Sequence, residues 1–319
     1  MEEKMVMINK EQSNLYKGIA LIFVIVSHLP RIFPGVNLSV LHPLGFLGVS
    51  IFLFLSGYGL QRSYCKNRLA LFWRKRIIKI VPTAAVVTIG IVIICYVTGV
   101  KSFSLIEIIL SCLGLSNAVN SVTWYLGMMW FCYFVFWASK KIGLNPYWGG
   151  AILSGGILIL SIVFGNTSIN MWGLNIFSFS LGMIFAENRI IGKWIQTKRG
   201  LLISFFTFIM LFVLYYIVLG NSDVLIFRNP VKSILSALFL ICFISFMNMM
   251  KHMIVKLKVL QWLGQISYEA FMIHAPFIFI FPQFFSIFNK PIMILLFFVI
   301  TVVLSVVLQR IMNTIVHKK

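Results

Sequence analysis

Residues 17–28 read KGIALIFVIVSH, an apolar run that opens on Lys17 and closes on His28. The two residues lie eleven positions apart, about three turns of an α-helix, so a helix would project both side chains from one face. An ionisable side chain within a membrane span is costly and commonly marks a functional site. The stretch therefore predicts a membrane helix with a functional histidine. The alternative is a histidine that hydrogen-bonds to a neighbouring helix and serves packing.

Composition places the whole chain in a membrane. Of its 319 residues, 60% are hydrophobic and 11% are charged, and the mean hydropathy is +0.99. Several apolar runs approach or exceed the ~20 residues that an α-helix needs to cross a bilayer. These runs are continuous, whereas the strands of a membrane β-barrel alternate. The sequence therefore predicts an all-α, polytopic transmembrane helical bundle with no attached soluble domain.

The net charge of +20 does not indicate a nucleic-acid partner. The cations stand in short segments between apolar runs, where the positive-inside rule places them, and they form no Arg/Lys patch with interleaved aromatic residues. The five cysteines are odd in number and scattered, without the spacing of a disulfide framework or a metal site. We therefore expect membrane lipid as a partner, no nucleic acid and no bound metal.

Ten apolar segments are predicted to span the membrane. They lie at about 15–33, 44–61, 77–98, 123–138, 147–165, 171–186, 200–219, 231–249, 264–287 and 291–313. Pro30 and Pro34 mark the end of the first segment, since proline ends or kinks a helix. Four glycines in the second segment permit close helix approach: Gly45, Gly48, Gly57 and Gly59.

The distribution of lysine and arginine decides the predicted topology. Residues 102–116 are short and contain Glu107, so they could form a further span or a re-entrant or interfacial helix. If they do not cross, a dense basic loop at 62–79 and most other cations fall on the cytoplasmic side. If they cross, every later loop changes sides and most of this asymmetry disappears. We therefore predict ten spans, with both termini cytoplasmic and 102–116 on or in the outer face. The predicted organisation is a tail at 1–14, a single transmembrane domain at 15–313 and a tail at 314–319.

Three ionisable residues in apolar runs are candidates for chemistry. A neutral imidazole at His28 can accept a proton from a hydroxyl, which is the work of a general base. Glu269 and His274 stand five positions apart in ISYEAFMIHAPF, a turn of about 140° on a helix, so they share no face unless Pro276 distorts the helix. One internal polar pocket could hold all three. The alternatives are a buried pair between Glu269 and a cation, and a packing role for His274.

A second candidate site is the basic start of the third span. Its four cations are Arg74, Lys75, Arg76 and Lys79. Arg76 and Lys79 fall on adjacent turns of one helix face, an arrangement that suits a ligand with phosphate groups. The alternative is that these cations only fix topology.

Five motifs in order resemble the membrane acyltransferase family 3, the bacterial surface-glycan O-acetyltransferases. The family begins with Arg, ten residues and His, where this chain has Lys17 and His28. The other four motifs are FLFLSGYG with Ser56, Gly57 and Tyr58; RIIKIVP with Arg76, Lys79 and Pro82; Trp124, Tyr125 and Leu126; and Ile266, Ser267, Tyr268, Phe271 and His274. Lysine replaces the family's arginine at positions 17 and 79, which keeps the charge but loses the bidentate fork.

The resemblance implies a ten-helix core, acetyl-CoA or another acyl-CoA as donor, and an alcohol acceptor, usually a sugar hydroxyl on a cell-surface or lipid-linked glycan. It implies a multi-pass protein of the cell membrane, here the bacterial plasma membrane. It assigns His28 as the general base or a brief carrier of the acyl group, and Glu269 as the second catalytic residue. It assigns Lys17, Arg74, Arg76 and Lys79 to the donor's phosphates. The implied substrate pocket contains Ser56, Trp124, Tyr125, Tyr268 and His274.

Two other functions fit the same sequence. A transporter or flippase for a glycan precursor would also have many spans and an internal polar pocket, but it leaves the spacing of Lys17 and His28 unexplained. A non-catalytic sensor or scaffold with this fold is consistent with the two lysine substitutions and predicts that His28 is replaceable. The acceptor, the acyl group and the oligomeric state are not encoded in any pattern that we find.

Overall fold

The computed structural model describes residues 8–32, 38–165, 167–188, 193–194, 197–218, 225–250, 256–280 and 290–317. Within these ranges the chain is helical and has no β-strand, in agreement with the all-α prediction. The α-helices are α1 (Lys10–Ser27), α2 (Leu29–Ile32), α3 (His42–Asn67), α4 (Phe72–Thr98), α5 (Leu105–Cys112), α6 (Trp124–Lys141), α7 (Pro146–Val163), α8 (Ser178–Glu187), α9 (Lys198–Val218), α10 (Leu225–Met249), α11 (Lys258–Gln265), α12 (Ser267–Phe279) and α13 (Lys290–His317). Short 3-10 helices occupy Ser39–Leu41, Ser121–Thr123 and Ser168–Asn175.

Seven helical segments of the described chain are long and apolar enough to cross a membrane. They are Lys10–Arg31, His42–Asn67, Phe72–Thr98, Pro146–Val163, Ser168–Glu187, Asn229–Met249 and Ile292–Thr314. The other three predicted spans, 123–138, 200–219 and 264–287, fall on α6, α9 and α11 to α12, and part of the last lies outside the described residues. The count of ten and the cytoplasmic placement of both termini therefore stay predictions.

Helix α1 begins earlier than the predicted tail at 1–14 allows. The Asn9 side chain accepts a hydrogen bond of 2.8 Å from the Gln12 backbone N–H, and the Gln12 side chain accepts one of 3.0 Å from the Asn9 N–H. This reciprocal capping box satisfies two N–H groups that would otherwise lack partners, so the helix begins at Lys10. At the other end of the chain, α13 continues to His317 and takes in most of the predicted tail at 314–319.

The end of α1 also differs from the prediction. The sequence predicts a continuous helix through His28, but α1 ends at Ser27 and α2 begins at Leu29. Pro30 has no N–H to donate to the Val26 carbonyl, which explains the break. His28 therefore occupies the turn between two helices within one candidate span, Lys10–Arg31. Pro34 lies outside the described residues.

The basic segment at 62–79, predicted to be a loop, is mostly helical. Helix α3 continues to Asn67 and α4 begins at Phe72, because lysine and arginine are good helix formers. The short turn between them contains two residues with left-handed backbone, Arg68 (φ 51°) and Leu71 (φ 53°).

Helix α5, in the ambiguous segment 102–116, is eight residues long. At 1.5 Å per residue it measures about 12 Å, far less than the ~30 Å hydrocarbon core of a bilayer. Its first turn is fixed by a capping box between Ser104 and Glu107. Glu107 therefore caps a helix, which the motif Ser-x-x-Glu would have indicated.

The described residues form two compact units. The first unit consists of the described residues within Met1–Ala20, Phe46–Ala70 and Phe131–Gly264. Its hydrophobic core joins α1, α3, α8 and α10 through buried side chains that include Tyr16, Phe54, Tyr58, Phe185 and Ile244. Helices α3 and α8 approach closely because Gly57 faces the Phe179 backbone and Gly182 faces the Phe54 backbone.

The second unit consists of the described residues within Leu21–Gly45, Leu71–Trp130 and Gln265–Lys319. Helix α12 is its most buried helix, and most of its side chains, from Ser267 to Ile278, are inaccessible. Helices α4 and α13 and the 3-10 helix Ser121–Thr123 pack against α12. This unit holds His28, Glu269 and His274.

Candidate active site

The imidazole of His28 lies against that of His274 in the second unit. The two ring centres are 5.4 Å apart and the planes are tilted by 31°. Phe279 covers another side of the His28 ring with an edge contact at 5.5 Å, and the guanidinium of Arg31 lies 4.6 Å above the Phe279 ring. His28 itself is half-buried. A partly accessible histidine thus meets a second histidine inside the unit.

The hydrogen bonds of His274 define its protonation pattern. His274 is fully buried, and its Nδ1 lies 2.7 Å from the Phe271 carbonyl oxygen and 3.3 Å from that of Ala270. Carbonyl oxygens only accept hydrogen bonds, so Nδ1 carries the proton and donates it. In a neutral ring Nε2 then has a free lone pair. Nε2 is buried and has no hydrogen-bond partner in the described part of the chain.

Glu269 lies on α12 as well, but it interacts with a different group. It is buried, stands in the first turn of the helix and interacts electrostatically with Lys79 of α4. A carboxylate in a first turn is favoured by the helix dipole. His274 therefore contacts His28, whereas Glu269 lies within electrostatic range of Lys79, as expected for two side chains about 140° apart on one helix. A catalytic role for Glu269 stays a prediction.

The predicted donor-binding cations of the third span lie within the first eight residues of α4. Arg74 and Lys79 are exposed and Arg76 is half-buried. The guanidinium of Arg76 lies 5.4 Å from the centre of the Phe72 ring, and Arg76 and Lys79 act on each other electrostatically. Helical geometry thus brings two cations to one face of α4, where either could meet an anionic ligand.

Three aromatic residues of the predicted pocket also belong to the second unit. The Tyr125 ring packs against Phe271 at 5.1 Å, and Trp124 lies 6.3 Å from Tyr125. The hydroxyl of Tyr268 donates a 2.8 Å hydrogen bond to the Ile80 carbonyl. Tyr268 therefore ties α12 to α4, and Tyr125 packs beside the helix turn that carries His274.

Asn120, which no sequence motif marked as a site residue, is fully buried. Its side-chain N–H donates a 2.8 Å hydrogen bond to the Met272 carbonyl. In a regular helix that carbonyl would accept from residue 276, but Pro276 has no N–H. The proline was a signal that a carbonyl in α12 needs an outside donor, although the donor's identity depends on the fold.

Two predicted site residues belong to the first unit. Lys17 is half-buried on α1, and Ser56 is half-buried on α3. The roles that the resemblance gives them, donor binding for Lys17 and pocket formation for Ser56, stay predictions.

Comparison with protein families identifies the chain. A family model described as an acyltransferase domain, that of acyltransferase family 3, matches residues 11–310. The chain belongs to acyltransferase family 3. This confirms the resemblance drawn from the five motifs and identifies a multi-pass membrane acyltransferase. No curated protein and no solved structure matches the chain.

The match to acyltransferase family 3 includes residues of both compact units. The residues matched include His28, His274 and the cations of α4. The contact between the two histidines therefore lies inside the acyltransferase domain and is the strongest candidate for its active site.

Proposed function

We propose that this acyltransferase family 3 member transfers an acyl group from acyl-CoA to a hydroxyl of a cell-surface or lipid-linked glycan. Acetyl is the first candidate for the acyl group. The observation that carries the proposal is the position of His28, a partly accessible imidazole held beside a buried one inside an acyltransferase domain. The proposed location is the bacterial plasma membrane.

His28 acts as the general base in this proposal. One ring nitrogen takes the proton of the acceptor hydroxyl while the oxygen attacks the thioester carbonyl. The new C–O bond forms, the C–S bond breaks, and the CoA sulfur leaves as a thiolate that regains the proton from His28. The products are the ester and CoA with a free thiol, so atoms and protons balance without a metal.

The start of α4 supports binding of the donor. The phosphates of CoA need cations, and Arg74, Arg76 and Lys79 are presented there within two helical turns. Lysine at position 79 neutralises charge as a point cation, whereas arginine at position 76 can form a bidentate contact. CoA is large and charged, so its nucleotide is expected to stay at the membrane surface while the thioester reaches inward.

The experiment is acyl transfer and hydrolysis from labelled acetyl-CoA by the full chain in lipid nanodiscs. Wild type is compared with His28→Ala, and His317→Ala is the matched control because His317 is the last residue of α13. Removal of a general base typically lowers the rate by ~10²–10⁴-fold. We expect slow release of CoA by wild type and by His317→Ala, and loss of it in His28→Ala.

A panel of acyl-CoA donors extends the experiment. If wild type binds or consumes none of them, the proposed function is wrong, and movement of a glycan precursor without acyl-CoA consumption would favour a transporter. If wild type consumes acyl-CoA and His28→Ala does so equally, the enzyme is an acyltransferase but His28 is not its base.

A further inference from the structure

The Nε2 atom of His274 is a buried acceptor that needs a donor. Its ring is fixed by the Nδ1 hydrogen bond to the Phe271 carbonyl, and no described residue donates to Nε2. A buried polar atom without a hydrogen bond costs free energy, particularly in a membrane protein. The atom is therefore expected to receive a hydrogen bond from a group that can approach it.

His28 is the polar group placed to do so. Two imidazoles joined by an N–H···N hydrogen bond of about 3 Å have ring centres about 5 Å apart. The observed separation is 5.4 Å with a tilt of 31°, so a small rotation of the His28 ring would form the bond. The other ring against His274 is Phe271, at 5.6 Å, and it has no N–H or O–H to offer.

We propose that His274 is a positioning residue for His28: it accepts a hydrogen bond from one ring nitrogen of His28 and so turns the lone pair of the other toward the acceptor hydroxyl. This rests on the proposed function. The arrangement uses a neutral imidazole where hydrolases with a Ser-His-Asp triad use a carboxylate to fix the tautomer of the base.

The proton inventory of the step is simple. His28 enters as a neutral ring whose one N–H donates a hydrogen bond to Nε2 of His274 and keeps its proton. Its other nitrogen takes the hydroxyl proton as the C–O bond forms and returns it to the CoA sulfur as the C–S bond breaks. Nδ1 of His274 keeps its proton throughout, in the hydrogen bond to the Phe271 carbonyl, so His274 orients the base and transfers nothing.

The first test is a double-mutant cycle. His274→Leu removes the acceptor, and His274→Gln supplies an amide oxygen that can accept from His28. Misplacement of a catalytic group costs ~10²-fold in rate, so we expect His274→Leu to lower kcat by about that factor with little change in the KM for acyl-CoA. We expect His274→Gln to recover most of it. In the His28→Ala background, His274→Leu should cause no further loss, because both changes remove one function.

The second test does not need activity. Histidine labelled with ¹⁵N in the full chain, in nanodiscs, reports the tautomer of each ring by NMR. We expect one tautomer of His28 in wild type and a mixture in His274→Leu, with the melting temperature recorded for each variant. If wild type transfers no acyl group but the His28 tautomer still changes in His274→Leu, the proposed function is wrong and the hydrogen bond between His28 and His274 is supported.

Two results would overturn the pairing. The first is a His28 tautomer that does not change in His274→Leu. The second is an equal loss of kcat for His274→Leu in the wild-type and His28→Ala backgrounds, or no loss at all, in chains that fold normally. Either result would leave His274 as a packing residue.

Discussion

The side-chain amide of Asn120 donates its hydrogen bond to the Met272 carbonyl, the group that Pro276 leaves without a helical partner. Met272 lies two residues before His274 on α12. The Asn120 side chain also accepts a 3.3 Å hydrogen bond from the Val122 N–H and so caps the 3-10 helix Ser121–Thr123. One buried amide therefore supplies hydrogen bonds to the backbone of α12 and of the 3-10 helix, both beside the candidate active site.

We predict that Asn120→Ala destabilises the protein. The Met272 carbonyl would be left buried without a donor, a loss worth about 1–3 kcal/mol. Thermal unfolding in nanodiscs measures it, and Asn117→Ala is the control because Asn117 is an exposed residue of the same segment. Equal melting temperatures for the two variants would mean that a water or another group satisfies the carbonyl.

A second prediction compares two glycines of α3. A Cβ atom at Gly57 would overlap the Phe179 carbonyl oxygen of α8, whereas one at Gly59 would meet nothing within 4 Å. Forced overpacking costs about 1–3 kcal/mol, so Gly57→Ala should lower the melting temperature strongly. Gly59→Ala should leave it unchanged or raise it. Similar melting temperatures for both variants would show that α3 and α8 separate at little cost.

These two cases show what the sequence can and cannot predict. Hydropathy predicts the helices, and the Ser-x-x-Glu motif of Ser104 and Glu107 is a pattern from which a helix N-cap can be predicted. The 140° turn between Glu269 and His274 predicts that they share no helix face, and in the structure His274 contacts His28 while Glu269 acts electrostatically on Lys79. Position in the sequence does not reveal which glycine faces a helix: Gly57 does and Gly59 does not.

Partners that are distant along the chain are the hardest to predict. Asn120 and Met272 are 152 residues apart, and no local pattern links them. Equally, the pairing of His28 with His274 depends on how α12 packs in the second unit. Proline in a helix marks a backbone carbonyl that lacks its helical N–H donor, but only the fold determines which side chain donates to that carbonyl.

A third prediction concerns the tie between α12 and α4. Tyr268→Phe removes the hydroxyl that donates to the Ile80 carbonyl, and a typical hydrogen bond contributes about 0.5–1.5 kcal/mol. The free energy of unfolding should fall by that amount, while Tyr96→Phe, at an exposed position of α4, should not change it. A stability loss shared by both variants would point to a general effect of losing a hydroxyl.

A fourth prediction concerns pH and helix α5. The Ser104 backbone N–H and then its hydroxyl donate to the Glu107 carboxylate, both at 2.8 Å, and they hold the pKa of Glu107 below its ordinary value. A carboxyl whose pKa is depressed by folding stabilises the folded form above its ordinary pKa, and this contribution is lost as the pH falls through the folded pKa.

Hydrogen exchange of the α5 amides, corrected for the intrinsic rate, measures that effect. Protection should decrease as the pH is lowered through the acidic range. Glu107→Gln removes the titrating group, so protection in that variant should be independent of pH. If wild type and Glu107→Gln follow the same pH dependence, the cap does not hold α5.

The last prediction concerns the donor-binding cations of α4 and rests on the proposed function. Arg76 and Lys79 stand one turn apart and act on each other electrostatically, so an anion between them would relieve their repulsion. We expect Arg76→Gln and Lys79→Gln each to raise the KM for acyl-CoA about 10-fold, as for loss of one charged hydrogen bond, with little change in kcat. Lys79→Arg should keep or lower the KM, because arginine adds a bidentate contact.

Lys66→Gln is the matched control, since Lys66 is an exposed cation near the end of α3. If the KM for acyl-CoA rises equally in all three glutamine variants, the effect is due to the net charge of the protein and not to a specific site. If the KM rises in none of them, α4 does not bind the donor.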